Sequence, residues 1–288
     1  MTAAPAPPLT PARPSTPLTP APAARPSATF TPAPAALAGG ESATRWISPQ
    51  ALSQPDPLPL FCLPHAGGGA SVFRTWLGRV PGVAVLPVQP PGRETRLREQ
   101  PFDHMDPLAA ELATVILEVA GSRPYAIYGH SLGALVAFET VREIRRLGAP
   151  PPLHLFVSGC VAPHYACDDD GESIATASLP DLVRKLRELG GTPEWLLNDP
   201  SVLDMIVPPI RADFRVKESY AYHSEPPLDV PVTVLASTDD PRAPHDLQNR
   251  WRDQTAAPFR LHTLSGGHFA VFEQPTTTHR HLTQALST

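Results

Sequence analysis

A serine between two glycines, in Gly129-His130-Ser131-Leu132-Gly133, is the pattern in this sequence with the clearest chemical meaning. It follows the apolar run Tyr125-Ala126-Ile127-Tyr128 and precedes an amphipathic stretch. A strand that turns sharply into a helix needs small residues two before and two after the serine, because the backbone there is strained and its neighbours pack closely. Such a turn lifts the hydroxyl of Ser131 above the end of a sheet, where it can act as a nucleophile.

A serine hydroxyl is a poor nucleophile until a base takes its proton, and that base needs a carboxylate to orient it. In a strand-turn-helix site the three residues follow in the order serine, acid, histidine. Among the histidines after Ser131, only His268 stands behind glycines and past a late apolar run, in Ser265-Gly266-Gly267-His268-Phe269. The acid is expected after the preceding apolar run, where we favour Asp240 and keep Asp239 as the alternative.

Backbone donors for a developing oxyanion are expected on both sides of the serine. The N–H of Leu132 lies at a helix N-terminus, where partial positive charge favours an anion. The second donor in such sites comes from the loop after an earlier strand, here Pro64-His65-Ala66-Gly67-Gly68-Gly69, and Ala66 is the candidate. This loop lacks the lysine of a P-loop and the spacing of a dinucleotide fingerprint. We expect no metal and no other cofactor, and interpret His65 and His130 as pocket-lining or backbone-shaping residues.

The elements that must position these residues alternate along the chain. Short apolar runs predict strands at 58–63, 83–88, 125–128, 154–158, 230–236 and 259–264. Helical periodicity predicts helices at 72–79, 107–119, 132–147, 245–254 and 276–286. This alternation predicts an α/β fold with a mostly parallel central sheet and helices on both faces, and the serine turn is typical of an α/β-hydrolase fold. Residues 179–222 are helical without a strand, and we interpret them as a lid.

Composition limits the classes of function. The 288 residues suffice for one large domain, and a formal net charge of −5 lacks the basic excess that nucleic-acid binding requires. No apolar run approaches the roughly 20 residues of a membrane span, and no secretion signal is recognisable. The three cysteines show no framework spacing. We therefore expect a cytoplasmic enzyme without nucleic-acid or membrane partners, with a Pro/Ala-rich disordered tail at 1–51 and the hydrolase domain at 52–288.

From about Leu58 to Leu286 the chain also resembles the type II thioesterases of modular polyketide and nonribosomal peptide synthases. The resemblance rests on several motifs together, which are Leu60-Phe61-Cys62-Leu63-Pro64-His65-Ala66-Gly67-Gly68, Pro90-Pro91-Gly92-Arg93-Glu94, Gly129-His130-Ser131-Leu132-Gly133-Ala134, Pro209-Ile210-Arg211-Ala212-Asp213-Phe214, Tyr220 and Gly266-Gly267-His268-Phe269. It implies a triad of Ser131, Asp240 and His268, and a lid over an acyl and phosphopantetheine channel. Ser237 stands where the family's Gly-x-x-Asp turn has glycine, so the choice between the two aspartates stays open.

The resemblance further implies hydrolysis of acyl thioesters on acyl or peptidyl carrier proteins that bear phosphopantetheine, either to edit stalled or aberrant chains or to release products. We expect the enzyme to be a monomer. Carrier proteins tend to be acidic, so a set of arginines is the hypothetical docking surface: Arg74, Arg79, Arg93, Arg96 and Arg98. Two alternatives remain, a carboxylesterase or lipase acting on oxygen esters and a non-catalytic hydrolase-like protein whose Pro-rich tail recruits a partner.

Overall fold

The central sheet is parallel throughout. The computed structural model describes residues 41–54, 58–166 and 173–287, and in this part of the chain six strands form one sheet in the order β2-β1-β3-β4-β5-β6. The strands are β1 Leu58–Leu63, β2 Val83–Pro87, β3 Ala126–His130, β4 His154–Ser158, β5 Val232–Ser237 and β6 Phe259–Leu264. All six predicted strands are present, and only their ends differ.

Helices cover the sheet between the strands. The α-helices are α1 Glu41–Trp46, α2 Pro49–Leu52, α3 Met105–Ala120, α4 Leu132–Arg146, α5 Leu179–Leu189, α6 Glu194–Leu197, α7 Pro200–Glu218, α8 His245–Asn249, α9 Ala270–Glu273 and α10 Pro275–Leu286. Two predicted helices are wholly or partly 3₁₀ instead, at Ala70–Trp76 and at Arg250–Gln254 after α8. Among the helices of the described ranges, none combines the length and the apolar composition of a membrane span.

Alternate residues of each strand supply two separate cores, one on each face. In β1, Phe61 and Leu63 pack in the core that contains α3 and α4, whereas Leu60 and Cys62 pack in the core that contains α9 and α10. Because successive side chains of a strand point to opposite faces, this division requires runs that are apolar at every position. The predicted α/β-hydrolase architecture is therefore confirmed.

The helical insertion lies between β4 and β5, where the sequence predicted it. Helices α5, α6 and α7 share an apolar cluster of their own, formed by Ala175, Leu182, Leu186, Leu197, Leu203, Ile210 and Phe214. The cluster explains how three amphipathic helices fold together outside the two sheet cores. We call α5 to α7 the lid.

Residues 41–52 are folded, which contradicts the prediction of a tail that extends to residue 51. Trp46 and Ile47 are buried in the α3/α4 core, and the Arg96 guanidinium lies 4.3 Å from the centre of the Trp46 ring. The many prolines of this segment predict disorder, but the burial of these two large apolar side chains offsets the entropy of ordering. Residues 1–40 lie outside the described residues, and a disordered tail there stays a prediction.

Candidate active site

Ser131 occupies a strained turn between β3 and α4. Its φ of 55° and ψ of −120° place it in a region that non-glycine residues rarely adopt. A Cβ added at Gly129 would collide with the carbonyl oxygen of Gly133, and one added at Gly133 would collide with that of Leu63. Both glycines are therefore needed for strand, turn and helix to pack this closely, as the sequence predicted.

His268 and Asp240 form a buried pair. His268 Nδ1 lies 2.7 Å from Asp240 Oδ2, and the other carboxylate oxygen of Asp240 accepts the backbone N–H of Arg242 at 3.0 Å. Asp239 is exposed instead, and its carboxylate accepts the Thr238 hydroxyl. Of the two candidate acids, the structure thus brings Asp240 to the histidine.

The second nitrogen of His268 is not used by any neighbouring side chain or backbone group of the described residues. His268 Nε2 is buried and has no hydrogen-bond partner among the described residues, while Ser131 and His268 line the same cavity. A carboxylate at Nδ1 holds the proton there and leaves Nε2 as the acceptor. The arrangement can therefore take a proton from a hydroxyl or a water in the cavity.

The environment keeps His268 neutral. Burial lowers the pKa of His268 below its ordinary value of 6.5, and the nearby Arg242 charge acts in the same direction, whereas Asp240 opposes both. Since a base must be unprotonated to accept a proton, the side chain is in its competent form at neutral pH.

Two further imidazoles lie beside His268. His65 lines the cavity, and burial lowers its pKa to about 3. His130 is fully buried, with its ring centre 4.8 Å from that of His268 and its Nδ1 2.8 Å from the Ser158 hydroxyl. No three His, Cys, Asp or Glu side chains in the described ranges are grouped as a metal ion would require. The two histidines act as neutral packing groups around the site.

Both predicted oxyanion donors are at the cavity. Ala66 and Leu132 line it together with Ser131 and His268. Leu132 is the first residue of α4, so its N–H has no acceptor within the helix. The next residue after Ala66 is fixed, because Gly67 N–H donates to Asp213 Oδ2 at 2.7 Å.

The cavity has a volume of about 600 Å³ and lies between the sheet and the lid. Apolar side chains from both parts line it, including Leu135, Cys160, Tyr165, Leu186 and Phe214. Charged side chains also contribute to the wall, and these are Lys185, Glu188, Lys217, Glu218 and Arg242. A space of this size and composition suits a ligand that has both an apolar and a polar part.

The prediction of five docking arginines is wrong for two of them. Arg93 is buried against Asp213, and Arg96 is buried against Glu99 and Trp46, so neither charge is available to a partner. The sequence motifs show where the arginines are, but they do not show whether each guanidinium group faces the solvent or the interior. The role of Asp213 was missed, although it lies in one of the motifs that carry the family resemblance.

The comparisons with known proteins agree with this geometry. The chain matches the thioesterase domain family over residues 58–286. Thioesterase PikA5 of Streptomyces venezuelae is 37% identical over 228 residues, which cover 75% of this chain and 76% of that protein. The structure of RedJ, a thioesterase from the prodiginine biosynthetic pathway of Streptomyces coelicolor, is 40% identical, with a TM-score of 0.74 and coverage of 80% of this chain and 91% of that chain. The type II thioesterase BorB from the borrelidin biosynthetic cluster is 35% identical, with a TM-score of 0.75 and coverage of 84% and 97%. The chain therefore belongs to the thioesterase domain family and is an α/β-hydrolase enzyme that acts on thioesters.

Proposed function

We propose that this enzyme is a type II thioesterase that hydrolyses acyl groups from the phosphopantetheine thiol of carrier proteins in polyketide or nonribosomal peptide biosynthesis, to edit stalled chains or to release products. The observation that carries the proposal is that Ser131 and His268 line one lid-covered cavity, with Asp240 bonded to the far nitrogen of the imidazole. Similar thioesterases from the prodiginine biosynthetic pathway and the borrelidin biosynthetic cluster support the class of substrate.

Catalysis begins when His268 Nε2 takes the proton of the Ser131 hydroxyl and the oxygen attacks the thioester carbonyl. The Ala66 and Leu132 N–H groups stabilise the negative charge that develops on the carbonyl oxygen. Collapse of the tetrahedral intermediate breaks the C–S bond, and the protonated His268 gives its proton to the leaving thiol. Asp240 stabilises the imidazolium that forms in between.

Hydrolysis of the acyl-enzyme repeats the same steps with water. His268 takes a proton from the water, which attacks the ester carbonyl, and then returns a proton to the oxygen of Ser131 as the acid leaves. The cycle uses the side chains of Ser131, His268 and Asp240 and the two backbone N–H groups, and none of its steps calls on a metal or a nucleotide.

The partner in this proposal is an acyl or peptidyl carrier protein, bound by a monomeric, cytoplasmic enzyme. Arg74, Arg79 and Arg98 are exposed and remain the candidate docking charges. Their neutralisation should raise the KM for an acyl-carrier protein and leave that for a small thioester unchanged. Equal effects on both substrates would remove these arginines from the docking surface.

Mass spectrometry of acyl-carrier proteins, before and after exposure to enzyme, tests the proposal directly. Ser131→Ala should abolish deacylation, and a fluorophosphonate probe should label the wild-type enzyme at Ser131 alone. Asp240→Asn should reduce kcat by roughly 10⁴-fold, whereas Asp239→Asn, a matched change one residue away, should leave it unchanged. Faster hydrolysis of matched oxygen esters than of thioesters would refute the substrate class.

A further inference from the structure

The loop that carries Ala66 is held from behind by a buried ion pair. Arg93 and Asp213 face each other through two contacts, Nη1 with Oδ2 and Nη2 with Oδ1, the second at 2.8 Å. Both side chains are buried. This fork geometry fixes the carboxylate in one orientation.

The same two side chains bind the backbone on both sides of Gly67. Asp213 Oδ2 accepts the Gly67 N–H at 2.7 Å, and Arg93 Nη1 donates to the Gly68 carbonyl oxygen at 3.2 Å. Two peptide groups of the loop, Ala66–Gly67 and Gly68–Gly69, are thereby tied to a single ion pair. The peptide plane immediately after Ala66 has its direction set by a carboxylate, because that plane contains the Gly67 N–H.

Steric contact acts together with these hydrogen bonds. Gly67 has a φ of +79°, and a Cβ added there would lie 2.9 Å from Cγ1 of Ile210, one turn before Asp213 on α7. The loop therefore lies directly against the lid helix, and its shape depends on where α7 sits.

We propose that Arg93 and Asp213 are positioning residues that aim the Ala66 N–H at the thioester oxyanion, so that lid helix α7 sets the geometry of the oxyanion site. This inference rests on the proposed function, in which Ala66 is a donor and Ser131 the nucleophile. Neither positioning residue touches the substrate, and they act through the loop.

The affinity for a transition-state analogue distinguishes a pair that positions the Ala66 N–H from a pair that only stabilises the fold. A trifluoromethyl ketone analogue of the acyl chain adds the serine oxygen and develops an oxyanion, whereas the corresponding alcohol does not. Asp213→Asn should lower kcat and the affinity for the ketone by about 100-fold each, the scale of losing one oxyanion donor. The affinity for the alcohol and the KM should stay within about threefold, because ground-state binding does not use that donor.

The double variant Arg93→Met/Asp213→Leu provides the second readout. Replacing both charges avoids leaving one of them buried without a partner, so unfolding in urea should require more denaturant than for either single variant. Its kcat should nevertheless stay as low as that of Asp213→Asn, because nothing holds the Gly67 N–H. Recovery of kcat together with stability would show a merely structural pair and overturn the inference. This variant also decides the matter if Asp213→Asn does not fold.

Glu139→Gln is the matched control, since it breaks another buried arginine pair, with Arg142 at 2.8 Å in α4, that has no contact with the loop. It should lower stability and leave kcat unchanged. If Ser131 is acylated in the wild type but the Asp213 variant keeps wild-type kcat and ketone affinity, only the positioning inference fails. If no acyl group forms on Ser131 in the wild type, the proposed function itself fails.

Discussion

Gly159 lies between two imidazoles of the site and provides a sharp test of how closely the base is held. It follows β4 with a φ of +58°, and a Cβ added there would lie 2.6 Å from Cε1 of His130 and 3.0 Å from Cε1 of His268. Ordinary contacts of this kind begin at 3.4 Å. In Gly159→Ala both rings must therefore move by a sizeable fraction of an ångström.

The expected effect on the reaction follows from the size of that movement. Restoring a contact of 3.4 Å from 3.0 Å requires the His268 ring to shift by about 0.4 Å. Because a misplacement of about 1 Å in a catalytic group costs on the order of 100-fold in rate, or about 2.7 kcal/mol, this shift should cost on the order of 10-fold. The left-handed backbone adds a separate cost of about 1–2 kcal/mol to folding, because alanine is strained at positive φ. We expect Gly159→Ala to lose both activity and stability.

Gly148→Ala separates the two effects. Gly148 has a nearly equal φ of +65°, with nothing within 4 Å of an added Cβ, so it should lose similar stability without loss of activity. The assays are kcat/KM with an acyl thioester and urea unfolding for each variant. Activity of Gly159→Ala within about threefold of Gly148→Ala would refute the claim that the imidazole of His268 is held this tightly.

The remaining predictions concern the base, the ion pairs and the lid. The acid limb of the kcat/KM profile should have its midpoint below pH 6.5, since burial lowers the pKa of His268 and activity is lost only as pH falls through that value; a midpoint above 6.5 would contradict the assignment of the base. Arg142→Met removes the nearer cation of the buried Glu139 carboxylate and leaves Arg146 at 3.9 Å, so urea unfolding should show a loss at the lower end of the roughly 3–5 kcal/mol that breaking a buried ion pair costs; a loss under about 1 kcal/mol would mean that Arg146 or water compensates the carboxylate. Gly191 has a φ of +82°, and a Cβ added there would collide with the Phe269 ring, so Gly191→Ala should reduce the turnover of acyl thioesters. The double variant Gly191→Ala/Phe269→Leu should regain part of that turnover. If the double variant is no more active than Gly191→Ala, backbone strain alone causes the loss.

Most of the sheet could be predicted from the sequence because β1 to β5 are buried on both faces, whereas the edge strand β6 is partly exposed. Residues such as Leu60 and Phe61 are both fully buried, on opposite sides, so the apolar run is continuous and easily recognised. The folded segment at 41–52 was not predicted because its folding depends on the burial of one tryptophan and one isoleucine in an otherwise proline-rich part of the chain. Local composition does not reveal that α3 and β2 offer a place for them.

The site was predictable where chemistry demands fixed neighbours, and less so elsewhere. Gly129 and Gly133 mark the serine turn because no larger residue fits there. The choice between Asp239 and Asp240 depends on which carboxylate points inward after β5, and that direction is a property of the folded turn. Arg93 appeared as a free charge because its partner Asp213 lies 120 residues away in the sequence.

The chain enters the lid after β4 and leaves it before β5, and these two strands pair directly with each other from Leu155 with Val232 onward. We therefore expect that the lid can be replaced by that of another family member, and that the replacement changes the specificity for the acyl chain. One condition applies. The new lid must carry an acidic side chain at the position of Asp213, placed so that it forms an ion pair with Arg93 of the recipient enzyme. A chimera designed for chain-length preference alone, without this match, would accept its new substrate and turn it over poorly.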